Sequence, residues 1–262
     1  MQVVILCGGQ GTRIREVSEN LVPKPMIPIG DRPIIWHIMK SYAEQGHTDF
    51  VLCLGHLGWR IKEYFLNHQS MDTDVTVTLG HTPKIQYHGP YTEEGWTVTL
   101  AETGSETGTG GRVRRIAPYL TGDRFLLTYG DGVSDIDLKA LESFHTDHGK
   151  QLTISGVIPP GRFGELKLDG DQVLEMQEKP QFSDRYINGG FMMIDRSFID
   201  DYLAHEPDET MLERTPFEAA AKSGQMMLHK HDGFWQCMDT ARDWEHLNRL
   251  WKSGNAPWRT WA

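Results

Sequence analysis

Val3-Val4-Ile5-Leu6-Cys7-Gly8-Gly9-Gln10-Gly11-Thr12-Arg13 is the stretch that decides the fold. Val3–Leu6 is a short, apolar, β-branched run, which suits a strand buried on both faces. A glycine loop follows directly. With no Cβ to block positive-φ conformations, its backbone N–H groups can approach and wrap an anion. Thr12 adds a hydroxyl donor, and Arg13 adds a planar fork that matches phosphate oxygens. The spacing is neither the GxGxxG of dinucleotide folds nor the GK[ST] of a P-loop. The plainer alternative is a glycine-rich turn beside a surface arginine.

Outward from this stretch, strand and helix patterns alternate. Asp31-Arg32-Pro33 opens a helical pattern through Ile34, Ile35, Ile38, Met39 and Tyr42, with Asp31 as a possible cap and Gly46 as the stop. Phe50–Leu54 reads as a second buried strand and Leu57–Leu66 as a helix. Residues 74–102 break the rhythm with two alternating stretches, 75–79 and 96–100, as a small antiparallel excursion would. The rhythm returns with a helix near 111–120, a strand at Phe125–Thr128 and a helix near 137–148 that Asp135 or Asp137 could cap. Short strands dominate 151–195, and helices follow near 197–204, 215–223 and 241–252. This pattern predicts an α/β fold with a mixed, mostly parallel sheet flanked by helices and a small antiparallel excursion. No linker or repeat divides it, so one domain over 1–262 is expected.

Bulk properties narrow the function. The chain has 262 residues and a net charge of −10, which argues against a general nucleic-acid binder. A local cluster of Arg, Lys and metal could still invert the field within one cleft. Cys7, Cys53 and Cys237 show no paired spacing and read as reduced thiols of a cytoplasmic protein. The N-terminus lacks a basic n-region, and no apolar run approaches a membrane span, so no membrane partner is expected.

Five further segments carry chemistry. In Pro23-Lys24-Pro25-Met26 two prolines fix φ around one lysine, a point-charge clamp for polyphosphate or simply a rigid surface turn. Tyr129-Gly130-Asp131-Gly132 ends a predicted strand, where ligands of open α/β sheets bind, and its carboxylate could hold Mg²⁺. Asp239 and Thr240 precede the last helix, and Thr240 with Asp243 has near capping-box spacing. Glu178-Lys179-Pro180 and Asn188-Gly189-Gly190 could offer a phosphate ligand and a sugar ligand, or a solvated lysine and a hairpin turn. Thr107-Gly108-Thr109-Gly110-Gly111-Arg112 could read a base edge or be a surface loop. Trp251, Trp258 and Trp261 suggest burial against another lobe or subunit, or core packing within one subunit.

Together and in this order, these motifs resemble the sugar-nucleotide pyrophosphorylase (nucleotidyltransferase) family over essentially the whole chain. The resemblance is closest to its glucose-1-phosphate cytidylyltransferase branch. It is carried by Gly8–Arg13, Lys24–Met26, Trp36-His37-Ile38-Met39-Lys40, Thr109–Arg112, Tyr129–Gly132, Pro159–Gly164, Ile187–Phe191 and Ala256–Trp261. Cys7 stands where the family usually has Ala, and Glu165 and Cys237 sit inside otherwise matching motifs. The resemblance implies a Rossmann-like sheet, Mg²⁺ as cofactor, a homo-oligomer, and CTP with a sugar 1-phosphate, glucose 1-phosphate first, as substrates. The nucleotide would be bound by Leu6, Gly8, Gly9, Gly11, Thr12, Arg13, Lys24, Thr109, Gly110, Arg112 and Asp131. Tyr129, Lys179, Asn188 and Gly189 would take the sugar phosphate, and Asp131 and Asp239 the metal. Arg13, Lys24, Asp131 and Lys179 would be catalytic. Residues to about 135 would form the nucleotide part, and about 136–262 the sugar-phosphate and C-terminal helical part.

The implied reaction is attack by a phosphate oxygen of the sugar 1-phosphate on the α-phosphorus of CTP, releasing pyrophosphate. A different sugar phosphate or base is the nearest alternative. A non-catalytic sensor of sugar nucleotides is disfavoured because it need not keep Arg13, Lys24, Asp131, Lys179 and Asp239 together. A dinucleotide oxidoreductase is poorer still, without GxGxxG.

Overall fold

Gln2–Leu6 (β1) is buried at every position and lies inside a seven-stranded sheet. A computed structural model describes residues 1–19, 21–91, 93, 95–159, 165–169, 172–177 and 186–261. The other strands of the sheet are Asp49–Leu54 (β2), Thr97–Glu102 (β3), Arg124–Tyr129 (β4), Leu152–Val157 (β5), Ile187–Asp195 (β6) and Met226–His231 (β7). Their order is β7-β5-β6-β4-β1-β2-β3. β1 runs parallel to β2 and β4, and β2 to β3. β6 is antiparallel to both β4 and β5, while β5 and β7 are parallel. The mixed, mostly parallel sheet expected from the strand–helix rhythm is present.

Besides one short helical turn at Arg15–Ser18, the helices are Ile34–Glu44 (α1), Gly58–Asp72 (α2), Thr109–Arg115 (α3), Leu138–His148 (α4), Ser197–Tyr202 (α5), Thr215–Lys222 (α6) and Ala241–Lys252 (α7). Alternate residues of β1 feed two cores, because successive side chains of a strand point to opposite faces. Val3 and Ile5 pack with Ile35, Ile61, Leu141 and Leu247 of α1, α2, α4 and α7. Val4 and Leu6 pack with Val113, Phe198 and Phe217 of α3, α5 and α6. Such double coverage is what makes parallel strands continuous apolar runs.

Several boundaries differ from the sequence pattern, each for a local reason. Asp31 does not cap α1: Pro33 occupies the cap position, and no side chain bonds the first turn. α2 continues past Leu66 to Asp72 through a polar stretch that carries no periodic apolar signal. The antiparallel excursion pairs Asp74–Thr78 with Lys84–His88, whereas 97–102 rejoins the main sheet as β3. That strand alternates because it is an edge, with Val98 and Leu100 against one core. α3 ends at Arg115, and a separate 3₁₀ turn at Ala117–Tyr119 contains Pro118, which has no N–H to continue a helix. Asp137 caps α4 through a 3.0 Å bond from the Ala140 N–H, while Asp135 pairs with His231 instead. Thr240 and Asp243 form a complete capping box at the start of α7.

The tryptophan tail packs into the chain's own core. Trp258 is fully buried, and with Trp251 and Trp261 it surrounds His37. His37 Nε2–H donates to the Ile29 carbonyl at 2.9 Å, and its Nδ1 accepts from Trp258 Nε1–H at 3.4 Å. The Trp258 bond needs an unprotonated Nδ1 and so the neutral ring, and burial lowers the His37 pKa from 6.5 to about 4. As pH falls below 6.5 the unfolded chain takes up a proton that the folded chain refuses. Stability is therefore complete above pH 6.5 and declines toward pH 4. For His37 alone the loss is on the order of 3 kcal/mol. Denaturant titrations at pH 7.5, 6 and 5 should show this decline. A midpoint constant over that range would mean that His37 titrates normally.

Candidate active site

After β1 the sheet winds outward through β2 and β3, then returns to β4 on the other side. Open α/β sheets bind ligands outside the carboxyl ends of strands at such a reversal. A cleft of about 460 Å³ opens there. It is lined by the Leu6–Ile14 loop, Lys24 and Pro25, the Ser105–Thr109 loop, Arg112, Tyr129–Asp131, Glu209, Met211 and Asp239. Of the residues expected at the nucleotide, all but Gly110 line it.

Lys24 organises the floor. Its short 3₁₀ turn, Lys24–Met26, closes with a 2.8 Å bond from the Met26 N–H to the Pro23 carbonyl. The turn delivers the ammonium to two carboxylates, 2.6 Å from Asp131 Oδ2 and in contact with Asp239 Oδ1. Arg13 Nη1 reaches Asp239 Oδ2 at 2.6 Å. Burial alone would lower the Lys24 pKa, but the two aspartates outweigh it and hold it above the ordinary lysine value. The aspartates are brought together by a short antiparallel pair, Gly132–Ser134 with Trp235–Cys237, extended by a 2.8 Å bond from the Met238 N–H to the Asp131 carbonyl. Because Thr240 caps α7, the Asp239 carboxylate faces the cleft. Two hard oxygens thus converge on one cationic position, the donor type that Mg²⁺ takes.

Among the described residues, no backbone carbonyl accepts an N–H from Gly8 through Arg13. These donors are oriented by the loop and remain available to a ligand. Arg112 sits beneath them, nearly fully buried. Its guanidinium donates to the carbonyls of Gly8 (3.1 Å), Leu54 (3.0 Å) and Gly104 (2.7 Å) and to Thr103 Oγ1 (2.8 Å). It ties the loops after β1, β2 and β3 into one wall, and a Cβ on Gly8 would lie 2.0 Å from it. Burial lowers the Arg112 pKa, and no carboxylate among the described residues pairs with it. Its charge therefore contributes to the potential in the cleft.

The glycines before Arg112 serve packing. The N–H groups of Gly108, Gly110 and Gly111 donate to the carbonyls of Asp208 and Thr210, and a Cβ on Gly111 would lie 2.1 Å from the Asp208 carbonyl. Residues 208–212 thereby become a cleft wall that the sequence reading missed. Glu213, also missed, accepts from Thr109 Oγ1–H at 2.7 Å and from the Tyr129 hydroxyl. Burial and the Glu213 carboxylate push the Tyr129 phenol pKa up. Asn188 Nδ2–H points to the Tyr129 hydroxyl at 3.4 Å, and the Gly189 carbonyl accepts from Trp235 Nε1–H at 2.7 Å. Lys179 lies outside the described residues.

A second group of potential cation ligands, His68, Asp72 and Glu93, has its donor atoms within 4.8 Å of one another. None of the three lines the cleft. Arg32 pairs with Asp72 at 2.5 Å, and Lys40 lies 3.9 Å from Glu93, so cationic side chains already balance this group.

Residues 2–249 match the nucleotidyl transferase family, and the chain belongs to it. It is 46% identical to the glucose-1-phosphate cytidylyltransferase of Salmonella typhi over 263 aligned positions, covering all of both chains. It is 39% identical to a probable glucose-1-phosphate cytidylyltransferase of Bacillus subtilis, again over the full length of both. The crystal structure of HddC from Yersinia pseudotuberculosis superposes with a TM-score of 0.68 at 23% identity, covering 95% of this chain and 99% of that one.

Arg112→Lys keeps the charge but replaces a planar fork by one ammonium, which cannot serve carbonyls from three loops at once. Leaving buried acceptors unmet should cost about 2–4 kcal/mol. Equilibrium unfolding checks this, and a change below about 0.5 kcal/mol, the range of ordinary surface substitutions, would mean that Arg112 is not the tie between the loops.

Proposed function

We propose that the protein transfers a cytidylyl group from CTP to glucose 1-phosphate, giving CDP-glucose and pyrophosphate. The observation that carries this reading is full-length identity to glucose-1-phosphate cytidylyltransferases, together with a cleft whose lining includes Arg13, Lys24, Arg112, Asp131 and Asp239. In this reading the Gly8–Arg13 loop and Lys24 hold the triphosphate. Thr109 and Arg112 shape the nucleotide side, with Gly110 behind them. Tyr129, Asn188, Gly189 and Lys179 serve the sugar phosphate. Residues to about 135 form the nucleotide part of one domain, and the remainder supplies the sugar side and Asp239.

Asp131 and Asp239 would hold Mg²⁺, which supplies charge neutralisation on the triphosphate. A phosphate oxygen of glucose 1-phosphate attacks the α-phosphorus. The bond from that phosphorus to the oxygen bridging to the β-phosphate breaks, and pyrophosphate leaves with the electron pair. A phosphate oxygen is already a nucleophile at neutral pH, so no general base is required. The protein's task is to align two mutually repelling anions and to meet the charge that shifts to the leaving group. Arg13 and Lys24 would serve the second task.

We place the reaction in the cytoplasm, whose reducing conditions suit three free cysteines. Among the described residues no helix is long and apolar enough to cross a membrane. We also propose a homo-oligomer. Val75 and Val77 pair across the excursion hairpin with Tyr87 and Ile85, and all four apolar side chains are exposed. Contiguous apolar patches of this kind mark contact surfaces.

Pyrophosphate release should be greatest with CTP and glucose 1-phosphate, and should need a divalent cation. A preference for another nucleotide would overturn the cytidylyl assignment. Asp131→Asn and Lys24→Ala should each lower turnover by roughly 10²-fold, the scale of one lost stabilising contact. Near-normal turnover in both would remove the pair from the mechanism. For the oligomer, Val77→Lys with Ile85→Lys should reduce the sedimentation mass, and an unchanged mass would exonerate this face.

A further inference from the structure

Glu213 joins two groups of residues that the proposed function assigns separately. One carboxylate oxygen accepts from Thr109, on the nucleotide side, at 2.7 Å, and the other accepts from the Tyr129 hydroxyl, on the sugar side. Thr109 is itself fixed, because its hydroxyl oxygen accepts the Leu212 N–H at 2.8 Å. Asn188 Nδ2–H lies 3.4 Å from the Tyr129 hydroxyl on the far side of the same network. Glu213 stays exposed to solvent, and no cation among the described residues pairs with it.

An ionised carboxylate is an acceptor only, with about four lone-pair sites over its two oxygens. Two of those sites are met by the hydroxyls that hold it. Because the side chain is exposed beside Tyr129, the remainder are open to solvent. A fixed anion there repels phosphate groups and suits neutral hydroxyl donors. Hydrogen bonds to a charged acceptor are roughly twice as strong as neutral ones. A site built to bond a hydroxyl also rejects analogues that lack it far more strongly than an apolar pocket rejects a misfit.

We propose that Glu213 is a sugar-binding residue, whose carboxylate accepts hydroxyl groups of the sugar 1-phosphate while Thr109 and Tyr129 fix its position. This rests on the cytidylyltransferase reading. It adds a specificity determinant on the sugar side, outside the segment that contains Lys179.

The test compares wild type, Glu213→Gln and Glu213→Asp with glucose 1-phosphate and its 2-, 3-, 4- and 6-deoxy analogues at saturating CTP. Glu213→Gln should raise the KM for glucose 1-phosphate by about 10- to 100-fold, the scale of one charged hydrogen bond. The KM for CTP should stay within about twofold, since only sugar binding is lost. At least one deoxy analogue should lose its penalty in the variant, because a residue and a hydroxyl in contact do not act additively. Glu213→Asp shortens the side chain but keeps its charge. It should show the same sugar-selective rise, and it serves if Glu213→Gln fails to fold. Equal rises in both KM values, with every deoxy penalty intact, would reduce Glu213 to a structural clamp and overturn the proposal. A wild-type enzyme inactive with CTP and glucose 1-phosphate would overturn the underlying reading, and this inference with it.

Discussion

Two carboxylates facing one point in a half-buried cleft need a cation between them, and in this protein Lys24 supplies it. Like charges in a medium of reduced dielectric raise one another's energy steeply with proximity. An ammonium 2.6 Å from Asp131 and in contact with Asp239 turns that repulsion into a three-centre attraction. Other features of the site follow from it. The Pro23–Pro25 turn presents the lysine, the short pair between Gly132–Ser134 and Trp235–Cys237 sets the aspartates side by side, and the capping box of α7 leaves Asp239 facing the cleft. The chain's own contacts hold the arrangement in place.

The second organising element is Arg112, which acts from behind. A guanidinium has five donors in a rigid plane, and here they draw the loops after β1, β2 and β3 together. The cost is a buried cation without a carboxylate partner. A protein that only needed stability would do better with an apolar contact at such a site. One that must attract a triphosphate gains from a fixed positive charge with no carboxylate bonded directly to it. Gly8 lacks a side chain because the guanidinium occupies its Cβ position, so the glycine loop answers to packing below as well as to anion binding above.

How much of this was legible in the sequence depends on whether the signal was local. β1, β2, β4 and α7 were readable because apolar runs and caps are written in neighbouring residues. The strand Lys84–His88 was not, because its two faces lack a protein partner to impose a clear pattern, and β3 was assigned to the excursion because an edge strand alternates like a hairpin. Asp31 looked like a cap, but the geometry of Pro33 placed the boundary after it. At the site, Lys24 and Asp131 were nameable from their flanking prolines and glycines, whereas the helix start at Asp239 read locally as a cap and only the family resemblance marked it as a site residue. That Arg112 turns inward, that Gly108–Gly111 receive residues 208–210, and that Glu213 meets Thr109 and Tyr129 are contacts between segments about a hundred positions apart. Glutamate is among the commonest surface residues, so nothing local distinguishes Glu213 from a solvated one.

The charges lining the cleft explain why the chemistry calls for a metal. Four carboxylates, Glu106, Asp131, Glu209 and Asp239, stand against three cations, Arg13, Lys24 and Arg112. Side chains alone therefore leave the cleft of an already acidic protein slightly negative, and a triphosphate with a sugar phosphate adds several negative charges more. Lys24 and Arg13 are also partly neutralised by the aspartates they hold. In the proposed reaction a divalent cation held by Asp131 and Asp239 would compensate those carboxylates. Lys24 and Arg13 would then be free to meet the charge of the substrates. Asp131 and Asp239 are held together by Lys24 in this structure, and the proposed metal would take the same two carboxylates.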